Sequence, residues 1–204
     1  MQSPEIEVKI PVASLSIFER QLDQAGFHLE TPRTFEQNTL YDTANRDLKA
    51  RGEILRVREY AGRHLVTHKR HPDNEDLTSM YKTRIETESE VSDGPAIADI
   101  FTRLGYVPAF RYEKYRSEYT HPEAPGGHLV LDETPLGTLA ELEGDPDWID
   151  RTAAQLGVAP EEYMTASYGV LFLEWKAATG DPAQNMTFAE MKVAPPVLAA
   201  TAAR

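Results

Sequence analysis

Charged side chains recur at every second position in five short stretches of this 204-residue sequence. In an extended chain such residues share one face, because successive side chains point to opposite sides. Carboxylates grouped in this way suit hard divalent cations such as Mg²⁺ or Mn²⁺, and paired Lys and Arg neutralise phosphate oxygens. The stretches are Glu5-x-Glu7-x-Lys9, Arg56-x-Arg58, Lys82-x-Arg84-x-Glu86-x-Glu88, Lys114-x-Arg116 and Glu141-x-Glu143.

The elements that must position these residues are short strands. Strict alternation of apolar and charged residues begins at Glu5, and Pro11 ends the first run. By the same period-two test the sequence predicts about eight strands, and turn-forming Gly and Pro residues separate several of them. The predicted strands span residues 5–10, 38–43, 53–60, 64–70, 81–91, 110–120, 128–133 and 138–143.

Helical periodicity appears between the strands, at residues 15–26, 97–104, 147–156 and 167–177. Amphipathic helices need an apolar surface to cover, and the apolar strand faces that carry Ile6, Val8, Leu55 and Val57 provide one. If the helices pack there, the charged faces line whatever the sheet encloses. The sequence therefore predicts an α+β fold, a closed eight-stranded antiparallel β-barrel with helices packed outside and room for one small ligand. The alternative is an open sheet with a solvated charged face.

Composition excludes several classes of function. The chain has 21 basic and 33 acidic residues, a net charge of −12, which argues against nucleic-acid or anionic-membrane binding. It has no cysteine, which excludes disulfides, thiolate metal sites and a cysteine nucleophile. It shows neither a long apolar run nor a secretory pattern, so we expect a cytoplasmic location. We expect one domain over residues 1–178 and an Ala- and Pro-rich tail over 179–204, loosely ordered at its end.

The order of the charged motifs resembles that of the CYTH superfamily, also called triphosphate tunnel metalloenzymes. The resemblance covers roughly residues 4 to 175 and implies the eight-stranded tunnel already inferred. One local departure is Arg70-His71-Pro72, where family members often have Gly-Pro, and it affects the shape of the tunnel mouth. The matching motifs are Glu5-x-Glu7-x-Lys9, Tyr41-Asp42, Leu55-Arg56-Val57-Arg58, Thr67-x-Lys69, Lys82-x-Arg84-x-Glu86-x-Glu88, Lys114-x-Arg116, Leu131-Asp132-Glu133, Glu141-x-Glu143 and Ser167-Tyr168.

The resemblance also implies site residues. Lys9 is expected to contact phosphate or help activate the nucleophile, so it is the candidate catalytic residue. The residues expected to bind the triphosphate are Arg56, Arg58, Lys69, Lys82, Arg84, Lys114 and Arg116. The residues expected to hold Mg²⁺ or Mn²⁺ are Glu5, Glu7, Glu86, Glu88, Asp132, Glu141 and Glu143.

Three functions remain open at this point. A metal-dependent hydrolase of inorganic triphosphate, ATP or thiamine triphosphate ranks slightly first, because water is always present as a nucleophile. A class IV adenylyl cyclase, which forms cyclic AMP and pyrophosphate from ATP, would use nearly the same phosphate-binding residues. A non-catalytic polyphosphate- or nucleotide-binding module has less need of so many carboxylates. We expect a monomer or homodimer.

Overall fold

Eight antiparallel strands close into a barrel in the order β1-β5-β4-β3-β2-β6-β7-β8. The computed structural model describes residues 2–73 and 78–197. The strands are β1 Gln2–Pro11, β2 His28–Thr43, β3 Ile54–Tyr60, β4 Arg63–Arg70, β5 Lys82–Val91, β6 Tyr106–Thr120, β7 Gly127–Thr134 and β8 Gly137–Gly144. The predicted closed barrel is confirmed, and six of the eight strands match their predicted bounds to within three residues.

Strands β2 and β6 are longer than the sequence pattern indicates. Strand β2 begins ten residues before its predicted start, at His28, and β6 begins at Tyr106. The pairing of these two strands shifts register between Leu29 and Thr31, and again between Thr31 and Thr34. Each shift breaks the period-two alternation on which the prediction depends. The extension places Glu36 inside the barrel, where the sequence analysis had predicted no strand.

The helices surround the barrel. They are α1 Leu15–Gln24, α2 Asp47–Ala50, α3 Gly94–Arg103, α4 Pro146–Gln155 and α5 Tyr168–Thr179, with a single 3₁₀ turn at Pro160–Glu162. The four predicted helices are confirmed, and the four-residue α2 was missed because one turn has no periodicity to detect. Within the described part of the chain, none of the helices has both the length and the apolar character to cross a lipid bilayer.

The main core lies between the outer surface of the barrel and two helices. The outward-facing residues Val8 and Ile10 of β1 are fully buried, in one cluster with Phe18 of α1 and with Trp148 and Ile149 of α4. Burial of such side chains contributes about 1.5–3 kcal/mol each relative to exposure. The apolar strand faces therefore point outward beneath the helices, which leaves the charged faces to point inward.

A second cluster closes one end of the barrel. Tyr168 and Phe172 of α5 pack there with Tyr112 and Leu139 from the barrel wall. The segment after α5 joins the same cluster through Met186, whose carbonyl accepts a 3.0 Å hydrogen bond from the Glu113 N–H. The first part of the predicted tail thus packs on β6. Residues 198–204, where the loosest order was expected, lie outside the described residues.

Candidate active site

A cavity of about 440 Å³ occupies the barrel interior. Its wall carries equal numbers of cationic and anionic side chains, seven of each. The cations are Lys9, Arg56, Arg58, Lys69, Lys82, Lys114 and Arg116. The anions are Glu5, Glu7, Glu86, Glu88, Glu118, Glu141 and Glu143. The charged strand faces therefore point into an enclosed space, which decides against the open, solvated sheet.

Thirteen of the fifteen predicted site residues line this cavity, and Arg84 and Asp132 do not. Arg84 Nη1 lies 2.7 Å from His71 Nδ1. The ring of His71 covers Gly52 so closely that a Cβ at that glycine would lie 2.4 Å from Nε2. Arg70-His71-Pro72, where the sequence departs from the family pattern, thus brings β5 and the turn before β3 together beside the barrel.

Lys9 joins the acids of β1 and β8. Its Nζ lies 2.8 Å from Glu7 Oε1 and 3.1 Å from Glu141 Oε1, and Lys82 also pairs with Glu7. Burial disfavours the charged ammonium of Lys9, but the charges of Glu141 and Glu7 outweigh it and raise the pKa of Lys9 above its usual range. Lys9 therefore stays protonated, so it can act on substrate as a cation and not as a general base.

The wall formed by β3, β4 and β5 is paired in the same way, and it also contacts Glu5 of β1. Lys69 Nζ lies 2.6 Å from Glu5 and 3.0 Å from Glu86, and Arg58 donates to Glu88 at 2.8 Å. Arg56 donates to the hydroxyls of Tyr112 and Thr67, both at 3.1 Å, and its Nη2 also lies 3.6 Å from Glu88. These contacts hold the cations in place before any ligand arrives. A phosphate group that enters would replace carboxylates that the cations already contact.

Asp132 lies behind the cavity wall and is completely buried. Its carboxylate accepts hydrogen bonds from Lys114 at 2.8 Å, from Arg116 at 2.8 and 2.6 Å, and from the hydroxyl of Tyr168 at 2.7 Å. The aromatic ring of Tyr168 also lies 4.9 Å from Lys114 Nζ and 5.4 Å from Lys9 Nζ, in cation–π contact. Asp132 thus fixes two phosphate-binding candidates and the first residue of α5.

Glu36 is a buried acid of the site that sequence analysis missed, as it also missed Glu118 and His128 of the cavity wall. It is fully buried, and its carboxylate lies 3.5 Å from Lys114, 3.8 Å from Arg116 and 3.9 Å from Arg58. Burial opposes its ionisation, but Lys114 and Arg116 outweigh burial and lower the pKa of Glu36 to about 2. Asn38 donates to it at 2.8 Å. The alternation Glu36-x-Asn38-x-Leu40 was the available signal.

The acids predicted to bind metal lie on adjacent strands but are not pre-assembled. Within residues 2–73 and 78–197, no three of these acids bring ligand oxygens within 4.8 Å of one another. Glu143 has no ion pair or hydrogen bond from its carboxylate to any described residue, and it pairs in register with Glu7. Burial of the carboxylate, reinforced by the negative charge of Glu5, raises the pKa of Glu143 to about 7. A divalent cation would neutralise the negative charges of Glu5, Glu7 and Glu143, so these acids fit such an ion.

The closed end of the cavity combines polar and apolar groups. Ser167, Tyr168 and Gly169, at the start of the 12-residue helix α5, line the cavity together with Leu40 and Tyr112. A helix N-terminus carries partial positive charge and free N–H groups, which favour anions. This end therefore adds to the cationic wall and also offers a small apolar surface.

Comparisons with known proteins agree with this arrangement. The CYTH domain profile matches residues 3–168. A Methanocaldococcus jannaschii protein named "putative adenylate cyclase" is 27% identical over 139 residues, which cover 68% of this chain and 75% of the relative.

Solved structures share the fold. A Vibrio parahaemolyticus protein described as a "putative adenylate cyclase" has a TM-score of 0.69 at 21% identity, covering 83% of this chain and 97% of that one. A Hippeastrum protein whose description reports "a dominant triphosphatase activity" has a TM-score of 0.57 at 21% identity, covering 84% and 96%. With more than three quarters of its length matched by the profile, the chain belongs to the CYTH domain family.

Proposed function

We propose that this protein is a divalent-metal-dependent enzyme that hydrolyses a phosphoanhydride bond of a triphosphate. The observation that carries the proposal is the ring of seven Lys and Arg side chains around one enclosed cavity, interleaved with carboxylates. Phosphoryl transfer depends mainly on positioning and charge neutralisation, and a preorganised ring of cations supplies both.

The charge balance of the cavity supports metal dependence. Seven cations face seven carboxylates, so the lining is formally neutral before substrate binds. A triphosphate carries several negative charges, and its entry alone would leave the site strongly negative in a medium that screens charge poorly. Entry together with divalent cations preserves the balance. A purely cationic pocket would have no such requirement.

The charged side chains of the cavity divide into cations that would bind phosphate and acids that would bind metal. Arg58, Lys114 and Arg116 present charged donors to the cavity, and Asp132 and Glu36 hold the last two from behind. We assign these cations to the phosphate chain and Asp132 to their support. Lys9, which stays protonated between Glu7 and Glu141, is assigned to the phosphoryl group that is transferred.

Glu5, Glu7 and Glu143 are the residues that would hold the metal. A bound divalent ion would supply Lewis-acid neutralisation of phosphate oxygens and a lowered pKa for water. The chain's own part is to release these acids when phosphate takes their place on Lys9, Lys69 and Lys82. Glu143 alone among them is unpaired within the described residues, so it is available to metal from the start.

Glu143→Gln is expected to raise the Mg²⁺ concentration that gives half-maximal activity by roughly 10- to 100-fold. The physical reason is that the amide keeps the shape of the side chain but loses the charge that the metal neutralises. The measurement is a metal titration of initial rates at saturating triphosphate. Glu161→Gln, at an exposed acid of the 3₁₀ turn, is the matched control. An unchanged titration would remove Glu143 from the metal site.

A class IV adenylyl cyclase is the second candidate. It is supported by the names of the similar proteins from M. jannaschii and V. parahaemolyticus. It is also supported by Leu40, Ile54 and Tyr112, which give the cavity an apolar patch on which a nucleobase could pack. We rank hydrolysis first because water needs no such pocket. The Hippeastrum protein, described as an adenylyl cyclase with a dominant triphosphatase activity, is a precedent for that order.

A reaction panel tests the proposal. Inorganic triphosphate, ATP and thiamine triphosphate are each incubated with the purified protein and Mg²⁺ or Mn²⁺, and orthophosphate, pyrophosphate and cyclic AMP are quantified. Release of orthophosphate without cyclic AMP supports the hydrolase. Equimolar cyclic AMP and pyrophosphate from ATP would establish the cyclase instead. Tight, metal-dependent binding with no product in any reaction would reduce the protein to a binding module.

A further inference from the structure

Three potential metal ligands converge at the end of the barrel that α5 does not cover. Ligand atoms of Glu30, Glu118 and His128 all lie within 4.8 Å of one another, and we call this group the rim cluster. On β6 the inward-facing residues run from Tyr112, at the closed end, to Glu118 at the opposite end. His128 lies on β7, and Glu30 lies in the bulged first part of β2. Three different strands thus bring the ligands together.

The rim cluster differs from the acids inside the cavity in its charge compensation. Glu5, Glu7 and Glu141 each contact a lysine or arginine within the barrel. Neither Glu30 nor Glu118 forms an ion pair with any lysine or arginine among residues 2–73 and 78–197. Glu118 accepts a hydrogen bond from Thr31 at 3.3 Å, and its Oε2 lies 3.7 Å from His128 Nε2. No lysine or arginine among the described residues therefore compensates the charges of these two carboxylates.

Tyr60 is an independent sign that a ligand belongs at this position. The residue is only 4% exposed, and its hydroxyl is buried without a hydrogen-bond partner among the described residues. It ends β3, on the same face as Arg56 and Arg58, and its hydroxyl lies beside the Glu118 carboxylate without forming a hydrogen bond of normal geometry. A buried hydroxyl with no partner costs free energy that a hydrogen bond to a metal-bound oxygen would recover.

We propose that Glu30, Glu118 and His128 form a second divalent-cation site, separate from the acids of β1 and β8 and selective for a transition metal over Mg²⁺. Two carboxylates bring the net charge that a divalent ion neutralises. An imidazole ligand favours Zn²⁺ and related transition metals, whereas Mg²⁺ prefers oxygen ligands and retains its waters. Tyr60 orients the Glu118 carboxylate or a water bound beside it.

The rim site opens into the same cavity, but it does not include the cations assigned to phosphate binding. Glu118 and His128 line the cavity, and His128 pairs in register with Glu143. Ion binding would cancel the two uncompensated negative charges at this end. The proposal concerns metal binding alone, so it does not depend on which triphosphate reaction the protein performs.

The test titrates the full-length protein with Zn²⁺ alone by calorimetry, in a background of excess Mg²⁺ and without nucleotide. We expect one Zn²⁺ per chain, bound roughly 100-fold more weakly by His128→Asn or Glu118→Gln and about 10-fold more weakly by Tyr60→Phe. Histidine-ring NMR should show the resonances of His128 shifting with Zn²⁺. Glu143→Gln should bind Zn²⁺ as tightly as the wild type. That result would separate the rim site from the metal ligands proposed above.

His28→Asn is the matched control, because His28 is an exposed histidine on the same strand as Glu30 but outside the cluster. Circular dichroism confirms that each variant is folded. Zn²⁺ affinity that is unchanged in His128→Asn and Glu118→Gln would overturn the proposal. Loss of affinity in His28→Asn equal to that in His128→Asn would do the same, since it would place the ion elsewhere.

Discussion

Replacement of Lys9 by methionine should lower kcat for triphosphate turnover by about 100- to 1,000-fold while the protein remains folded. Methionine keeps the unbranched shape and most of the volume of lysine but removes the charge. The ammonium of Lys9 is fixed by Glu7 at 2.8 Å and Glu141 at 3.1 Å, so its position is set before substrate binds. A preorganised cation of this kind stabilises charge in the transition state more than in the bound substrate.

The variant should fold because neither acid loses its last partner. Glu7 keeps its contact with Lys82, and Glu141 keeps Arg116 at 2.6 Å. The measurements are kcat and KM for the best substrate of the reaction panel, with urea unfolding as the test of stability. Lys49→Met, at an exposed lysine of α2, is the matched control. A kcat close to that of the wild type would show that Lys9 only pairs buried acids.

The architecture was predictable because its strands alternate in an unusual way. Charged residues such as Glu5 and Glu7 face one side of β1, and Ile6 and Val8 face the other. The same pattern recurs in other strands, and the apolar faces of the helices need an apolar surface to cover. Few arrangements satisfy both conditions other than a barrel with a charged interior. The prediction was weakest in the first part of β2, where register shifts between Leu29 and Thr34 interrupt the alternation. Glu36 lies just beyond these shifts, and it was missed because the predicted strand began only at Asn38.

The position of most site residues was predictable, but their partners were not. Alternation indicates that Lys114 and Arg116 share a face, yet it does not indicate which acid lies across the next strand. That depends on the order β2-β6-β7-β8, which brings Asp132 beside Arg116. Tyr168 of α5 then contacts both Asp132 and Lys114. Similarly, the rim cluster combines residues from β2, β6 and β7 that form no motif in the sequence. Long-range pairing, which a single sequence does not encode locally, creates these sites.

Asp132→Asn should destabilise the protein by about 3 kcal/mol without changing its affinity for metal. The carboxylate is fully buried and accepts hydrogen bonds from Lys114, Arg116 and Tyr168, so removal of its charge leaves two buried cations undercompensated. The loss stays near the lower end expected for a broken buried ion pair, because Glu36 and Glu141 still contact these cations. Urea unfolding measures the stability, and a Mn²⁺ titration measures the metal affinity.

Asp23→Asn, at an exposed acid near the end of α1, should change the free energy of unfolding by less than about 0.5 kcal/mol and serves as the control. The sequence motif alone placed Asp132 among the metal ligands, so the two measurements separate two physical roles. A metal ligand would lose Mn²⁺ affinity on substitution, whereas an anchor for Lys114 and Arg116 would lose stability and phosphate affinity. Weaker Mn²⁺ binding at unchanged stability would restore Asp132 to the metal site. We expect lower stability at unchanged Mn²⁺ affinity. That result would mean that Asp132 acts on the substrate only through Lys114 and Arg116.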